Sequence, residues 1–285
     1  MSISVIIPAY KANLTIERAL ASVAKQTLKP KQVIVVDDGS EDGTYEKAEA
    51  FKKLLTGVEL KIFSQRNLGA GAARNRAISE ATGDWLAFLD ADDEWLPKKL
   101  AISMEAINRN RLVLVAHNYF SINGSHKELV LCNKRYDATT DPYRGLYRKG
   151  FLATSSVVVR RDAVLKAGGF DENLATAQDF DLWLKILKRR HANFRVEADA
   201  LLNYFVTPGS ITFHTSQRLE CTLRIAIRHA PNRQDLYFRI FSVHYEAIYS
   251  ALTKGQIIQA LCFFIKLPFH ILCLGHQYTK LKESV

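Results

Sequence analysis

The chain has 285 residues, 48% of them hydrophobic, and a net charge of +10. This size and hydrophobic content allow one large domain with a buried core and a smaller appendage. The positive charge suits nucleic acid, an anionic membrane or a phosphate-bearing ligand equally well. The four cysteines form no zinc-type spacing and favour reduced thiols over a disulfide framework: Cys132, Cys221, Cys262 and Cys273.

The first 90 residues alternate short apolar runs with helical patterns. Strands are predicted at 4–7, 33–36, 60–63 and 85–89, and helices at 16–24, 45–55 and 70–81. This alternation predicts an α/β fold with a mostly parallel sheet and helices on both faces. The N-terminal sequence MSISVIIPAY is typical of a first strand and lacks the regions of a secretion signal, so we expect a cytoplasmic protein.

The rest of the chain is less regular. Strand patterns occur at 112–116 and 156–159, and the polar, basic stretch 121–150 between them is expected to be a long loop. An amphipathic helix is predicted where apolar residues recur at i, i+3, i+4 and i+7, at Phe180, Trp183, Leu184 and Leu187. From Ser216 onward the pattern is helical.

Polar or acidic residues follow three of the predicted strands, at 8–10, 37–38 and 90–93. Ligands bind beyond the carboxyl ends of the strands in such sheets, so these ends predict a site. Asp90 and Asp92 could share one divalent cation, because Mg²⁺ is often held by one or two carboxylates and substrate phosphates. The alternative is a solvated acidic turn in which Asp93 caps the following helix.

Two further segments could contact a nucleotide. Asp37 and Asp38 could accept hydrogen bonds from a base or ribose, although Asp-Gly is also an ordinary turn sequence. Gly69 and Gly71 precede a helix that carries Arg74 one turn in, and the N-terminus of a helix favours phosphate. The spacing matches neither the P-loop nor the dinucleotide fingerprint, so a tight loop with a solvated arginine is the alternative.

Taken in order, these segments resemble family 2 glycosyltransferases, which have the GT-A fold. The resemblance covers about residues 1–190 and is specific in its order and spacing. It is carried by SVIIPAY, VIVVDDGSEDGT, QRNLGAGAARNRAI, ATGDWLAFLDADDEW, GGFDENL and AQDFDLWLK. It implies a GT-A catalytic domain, which we place at 1–215, and the helical pattern that follows predicts a separate segment at 216–285.

The resemblance also implies an activity, which is inverting hexosyl transfer from a nucleotide-diphosphate sugar, most often a UDP-sugar, to a glycan or lipid-linked acceptor. The implied donor-site residues are Pro8, Ala9, Tyr10, Asp37, Asp38, Arg74 and Asp90. Asp92, with Asp90 beside it, is the implied ligand of Mg²⁺ or Mn²⁺. Asp179 is the implied general base, and bacterial surface polysaccharide or glycolipid assembly is the implied setting.

The sequence departs from the family pattern at two places. Gln178 stands where many members have the glutamate of a Glu-Asp pair. Many members also have a histidine after the base helix, whereas Thr207 stands at the corresponding position and His214 comes several residues later. The metal would then rely on Asp92, the diphosphate and water.

The segment after residue 216 combines charge with long apolar runs. Residues 217–285 contain nine Lys or Arg and four Asp or Glu, a net charge of +5. Basic amphipathic helices favour anionic interfaces, so peripheral attachment to the inner face of the cytoplasmic membrane is expected. Packing on the catalytic domain is the first alternative. The second alternative is a helix that spans the membrane. The apolar run at 257–274 is short for such a helix and is interrupted by Pro268, so this alternative is disfavoured.

Three other functions remain in view. Gln178 and the absent histidine would also fit an inactive module that binds a sugar nucleotide. A sugar-phosphate nucleotidyltransferase shares the fold class, but such enzymes have a glycine-rich loop after the first strand, where this chain has PAYKANLT. Nucleic-acid binding is supported by net charge alone, since no basic and aromatic module is present, and we expect none.

Overall fold

The computed structural model describes residues 1–136, 141–150, 152–188, 193–206 and 215–283. Its nine strands are β1 Ile3–Ala9, β2 Gln32–Asp37, β3 Glu59–Ser64, β4 Trp85–Phe88, β5 Glu94–Trp95, β6 Leu114–Asn123, β7 His126–Val130, β8 Val158–Arg160 and β9 Phe194–Phe205. Its helices are α1 Ile16–Ala24, α2 Thr44–Ala50, α3 Ala70–Ser79, α4 Lys99–Asn110, α5 Pro142–Lys149, α6 Arg161–Lys166, α7 Gln178–Leu187, α8 Thr215–His229, α9 Arg233–Thr253 and α10 Ile257–Glu283.

One sheet runs through the domain in the order β3-β2-β1-β4-β8-β6-β9-β5, with β7 paired to β6. Its first half, from β3 to β4, is parallel. Every residue of β1 and β2 is buried, as expected for central strands covered on both faces. The parallel register brings the carboxyl ends of β1 and β2 together, with Ala9 beside Asp37. The α/β prediction is confirmed in this half.

The second half of the sheet mixes directions. Strand β8 is antiparallel to β4 and β6, whereas β9 is parallel to β6 and antiparallel to β5. The expected loop at 121–150 was wrong, because β6 and β7 form a hairpin there and α5 follows. Asn123 pairs with His126 across a two-residue turn in which Gly124 has a φ of 57°. A two-residue loop that begins with glycine, here Gly124 and Ser125, is a hairpin signal, and the sequence prediction overlooked it.

Helices α8 and α9 make polar contacts with the preceding helices α5 and α7. The carboxylate of Asp181 on α7 is fully buried and lies 2.8 Å from His229 and 2.9 Å from Arg228, both on α8. Burial opposes ionisation, but hydrogen bonds from His229 and Lys185 outweigh it and hold the pKa of Asp181 at about 2. On α9, Asp235 accepts from Arg144 of α5 at 2.8 Å.

Helix α10 lies on α9 and leaves most of its own surface open. It continues for 27 residues with Pro268 inside it, so the expected interruption at the proline does not end the helix. Its most apolar window has a mean hydropathy of 2.0, and only 11% of that window is buried. Among the described residues, α10 is the helix long and apolar enough to cross a membrane.

Lys99 is a lysine whose side chain is buried in the core. It is fully buried at the start of α4, with Nζ 4.0 Å from the centroid of the Trp95 ring. Within the described residues, no group accepts a hydrogen bond from Nζ. Burial lowers the pKa of Lys99 well below its usual value, and the nearby His117 has a pKa lowered to about 3 by burial and by Lys99.

We therefore expect Lys99→Met to raise the free energy of unfolding by about 1 to 3 kcal/mol, because a buried polar group without a partner is removed. Since the pKa of Lys99 is lower in the folded state, the unfolded chain binds more protons, and stability of the unmodified protein rises with pH towards the lysine's ordinary value. The variant should lose this part of the slope. Denaturant unfolding at several pH values measures both effects.

Lys98→Met is the matched control for this prediction, because Lys98 directly precedes Lys99 in the chain and its side chain is exposed. We expect it to change stability by less than about 0.5 kcal/mol. Equal stability of the two variants, or a less stable Lys99→Met protein, would contradict the argument.

Candidate active site

The carboxyl ends of β1 and β2 form one wall of the site. The backbone N–H of Asp38 donates to the carbonyl of Ala9 at 2.8 Å, which joins the two strand ends. Pro8 and Ala9 are buried, whereas Tyr10 is 48% exposed beyond the strand. Of the first three predicted donor-site residues, Tyr10 is therefore the one that can offer its side chain to a ligand.

Asp38 anchors the loop that leads into α3. Its carboxylate accepts from the side chain of Gln65 at 2.8 Å and from the backbone N–H groups of Leu68 at 3.0 Å and Gly69 at 2.8 Å. A Cβ added at Gly39, whose φ is 78°, would meet the backbone N of Asn67 at 2.8 Å. Glycine here lets the two loops touch, so Asp-Gly forms a turn, and the carboxylate of Asp38 binds the neighbouring loop.

Asp37 lies beside this anchor and is buried with spare hydrogen-bonding capacity. Its carboxylate accepts from the backbone N–H of Ser40 at 3.2 Å, while its Oδ1 has no partner among the described residues. Burial raises the pKa of Asp37, against the lowering effect of Ser40. This oxygen has almost no accessible surface, so its hydrogen-bonding capacity is unused in this structure.

Arg74 connects α3 to the end of β4. Its guanidinium lies 2.7 Å from a carboxylate oxygen of Asp90 and 3.4 Å from the side-chain oxygen of Gln178. It is 8% exposed, so the predicted alternative of a solvated arginine was wrong. A Cβ added at Gly71 would lie 3.3 Å from Gln178, so the second glycine of the loop makes room for that side chain.

Asp179 lies in the first turn of α7 and is half-buried. Its Oδ2 accepts from the Thr154 hydroxyl at 2.7 Å, and its Oδ1 accepts from the backbone N–H of Phe180 at 2.8 Å. Burial raises the pKa of Asp179 against the lowering effects of Thr154 and Arg74. The N-cap of α7 is Ala177, so Asp179 is not the capping residue of its helix.

Asp93 supports the acidic turn from inside. It accepts from the Ser155 hydroxyl and, at 3.1 Å, from the backbone N–H of Phe205. Burial and the charges of Asp90 and Asp92 raise its pKa well above the usual value. The next helix begins at Lys99 with Lys98 as N-cap, so the alternative in which Asp93 caps it was wrong.

The oxygen donors at the end of β4 fit a hard divalent cation. Asp90 and Asp92 are both half-buried, and one oxygen of Asp90 already faces Arg74. Within the described residues, no group of three or more His, Cys, Asp or Glu side chains is placed to hold a metal. Two carboxylates with substrate phosphates are a sufficient donor set for Mg²⁺. Thr207 and His214 lie outside the described residues.

The structure brings Arg74, Asp90, Gln178 and Asp179 into one cluster, and Asp38 holds the loop that starts the Arg74 helix. Two contacts of this cluster come from residues that the sequence did not indicate, Thr154 and Ser155. A run of three hydroxyl-bearing residues directly before an apolar strand was the available signal. It could not say which acids these hydroxyls would meet.

Solved structures with this architecture are GT-A glycosyltransferases. The chain matches Staphylococcus aureus TarS residues 1–349 in complex with UDP-GlcNAc at a TM-score of 0.68 and 20% identity, over 98% of this chain and 92% of the other. A longer TarS chain is covered to 43% of its length. The mannosyltransferase PcManGT from Pyrobaculum calidifontis, solved with GDP-Man and Mn²⁺, matches at 0.66 and 18% identity, over 92% and 73%. The fold is therefore that of a GT-A glycosyltransferase.

The sequence defines the family within that class. Residues 4–168 match glycosyl transferase family 2, so the chain belongs to this family. The amylovoran biosynthesis glycosyltransferase AmsB of Erwinia amylovora is 29% identical over 83% of this chain and 81% of its own length. The Escherichia coli UDP-Glc:alpha-D-GlcNAc-diphosphoundecaprenol beta-1,3-glucosyltransferase WfgD is 32% identical over 65% and 70%.

Proposed function

We propose that this glycosyltransferase moves a hexosyl group from a UDP-sugar to an acceptor hydroxyl with inversion at the anomeric carbon, and that Asp179 is the general base. The carrying observation is the position of Asp179, half-buried and held by Thr154 in the same cluster as Arg74 and Asp90. A hydroxyl group needs its proton removed as it attacks, and a positioned carboxylate can remove it. The test is replacement of this carboxylate by its amide, described in the Discussion.

The donor would lie along the strand ends, between the β1–β2 wall and the Arg74 cluster. Tyr10 would face the nucleoside beside the buried Asp37, and Arg74 would lie near the diphosphate. Asp38 would act through the loop that it anchors. A uridine donor is supported by TarS, which was solved with UDP-GlcNAc, and by WfgD, whose name specifies UDP-Glc.

Asp92 and Asp90 would hold Mg²⁺ or Mn²⁺ together with donor phosphates. Such a cation, when bound, stabilises the charge of the departing nucleoside diphosphate. Arg74 supplies a fixed positive charge to the same region, and it stays oriented by Asp90 and Gln178. The proposal is supported by PcManGT, which was solved with Mn²⁺.

The acceptor is proposed to be a lipid-linked glycan in bacterial surface polysaccharide or glycolipid assembly. AmsB is named for amylovoran biosynthesis, and WfgD for transfer to a diphosphoundecaprenol-linked sugar. Peripheral attachment to the inner face of the cytoplasmic membrane would bring the site close to such an acceptor. Apolar side chains that are more than half exposed line α10, namely Ile257, Ile258, Leu261, Phe264, Ile265, Phe269, Leu272 and Leu281.

Deleting the residues after Lys254 should remove most of the binding to anionic liposomes and leave donor hydrolysis largely intact, because only four described residues of α10 are buried. The apolar face and the nearby lysines supply the attraction to an anionic interface. Cosedimentation with liposomes, with and without anionic lipid, measures the binding.

A double substitution, Phe264→Ser with Phe269→Ser, provides a version of this test that keeps the helix. Both side chains are about two-thirds exposed, at 65% and 64%, so folding should be retained. If this protein sediments with anionic liposomes as fully as the unmodified chain does, α10 is not the membrane contact. Unfolding of the truncated chain alone would show that α10 is needed as part of the core.

An inactive module that binds a sugar nucleotide is the second candidate. Gln178 favours it, because the side chain beside the base carries no charge in this chain and is tied to Arg74 and to the carbonyl of Leu174. Hydrolysis of a UDP-sugar in the presence of Mg²⁺ or Mn²⁺ separates the two. Binding without any turnover across a panel of donors would favour the module.

A further inference from the structure

One turn of 3₁₀-helix, Thr154–Ser156, lies between the candidate base and the acidic turn. Thr154 Oγ1 donates to Asp179 Oδ2 at 2.7 Å. The hydroxyl of the next residue, Ser155, accepts from the backbone N–H of Asp90 at 3.0 Å and donates to Asp93. A single turn therefore contacts acids that belong to two distant segments of the chain.

Hydrogen bonds fix the backbone of this turn. Its backbone bonds run from Ser156 N–H to Ala153 O at 2.8 Å and from Val157 N–H to Thr154 O at 3.0 Å. The indole N–H of Trp95 donates to the carbonyl of Ser155 at 2.7 Å. Ser155 is 1% exposed and Thr154 is 7% exposed. Because the backbone is fixed and a β-branched side chain has few rotamers, the Thr154 hydroxyl has a defined direction.

We infer that Thr154 is a positioning residue for the candidate base, an inference that rests on the proposed role of Asp179. Its hydroxyl binds one carboxylate oxygen, and the backbone N–H of Phe180 binds the other. Among the described residues these are the two hydrogen bonds to that carboxylate, which can accept about four. The remaining positions are left for the acceptor hydroxyl, at an angle that Thr154 sets.

The same hydrogen bond favours the ionised form of the base. The charged groups that act on Asp179 are Arg74 from α3, which lowers its pKa, and Asp90 from the end of β4, which raises it. Loss of the Thr154 hydroxyl would leave the charges in place and remove the hydrogen bond. The acidic limb of the pH–rate profile would then move to higher pH, because the base must be deprotonated to act.

The experiment compares three variants in sugar transfer to acceptor across pH. Thr154→Val keeps the shape and removes the hydroxyl, so we expect kcat to fall by roughly 10-fold, about the effect of one charge-assisted hydrogen bond, with the acidic limb shifted upward. Thr154→Ser keeps a hydroxyl at this position, so its kcat and the acidic limb of its pH–rate profile should be close to those of the unmodified enzyme. Ser156→Ala is the matched control, because Ser156 lies in the same turn and donates to Ala153 rather than to an acid.

Two results would overturn the inference. The first is a Thr154→Val enzyme whose kcat and pH–rate profile match those of the unmodified enzyme. The second is Ser156→Ala causing the same losses, which would assign the effect to the turn as a structural unit. If Asp179 is not the general base, the Asp179→Asn enzyme will transfer sugar at the normal rate. This result is distinct from the two that would overturn the inference about Thr154.

Discussion

Asp179→Asn should reduce sugar transfer by a factor of roughly 10² to 10⁴ while folding and donor affinity stay near normal, because the amide cannot accept the acceptor's proton. The structure limits the competing explanation. Asp179 is the second residue of α7 and Ala177 is the N-cap, so loss of a helix cap does not account for a large effect. Initial rates with a UDP-sugar and acceptor, together with donor titration by calorimetry, measure the two quantities.

Asp162→Asn is a suitable control for this variant, because Asp162 is an exposed acid on α6 that pairs with Lys166. It should transfer at the unmodified rate. An Asp179→Asn enzyme that also transfers at that rate would show that the base lies elsewhere. Asp171 and Asp181 are poor replacements, since both are already bound by Arg228.

Asp92→Asn should lower metal affinity by at least roughly 100-fold and remove metal-dependent donor binding, because even partners that only orient a metal ligand are worth about 10- to 100-fold. The substitution keeps the shape of the side chain and removes its charge. Arg18, which donates to the backbone carbonyl of Asp92, should still hold the turn in place. Turnover should fall with the loss of bound metal.

Titration of UDP with and without Mg²⁺ or Mn²⁺ separates metal binding from folding for this variant. The unmodified chain should bind UDP more tightly when metal is present, and the variant should show no such gain. Thermal unfolding without ligand should be nearly unchanged, since Asp92 is half-buried rather than in the core. A normal metal-dependent gain would contradict the assignment of Asp92.

The sequence predicted the parallel half of the sheet because each strand there is a short apolar run between turn signals. Every residue of β1 and β2 is buried, and strands that are covered on both faces have the continuous apolar sequences from which they were predicted. The same pattern placed Asp90 at the end of an apolar strand, whereas the role of Asp179 was implied by the resemblance to family 2 glycosyltransferases.

Other features depended on contacts between distant residues, which periodicity does not encode. Arg74 became buried because Asp90 and Gln178 surround it, and Thr154 meets Asp179 across 25 positions of sequence. The prediction that Asp93 caps the following helix was wrong for the same reason, since its partners, Ser155 and Phe205, come from distant segments of the chain. The hairpin formed by β6 and β7 was different, because its Gly-Ser turn was visible in the sequence.

Helix α7 faces two ways, with Asp179 turned to Thr154 and Asp181 turned to the cations of α8. From α8 the packing continues to α9 and then to α10. Helix α10 also contacts α8 directly, so the base and α10 are connected through one set of packed helices. If α10 rests on a bilayer as proposed, this packing would hold the base at a fixed height above the lipid. The enzyme would then glycosylate an acceptor sugar at that height and not sugars on shorter or longer chains.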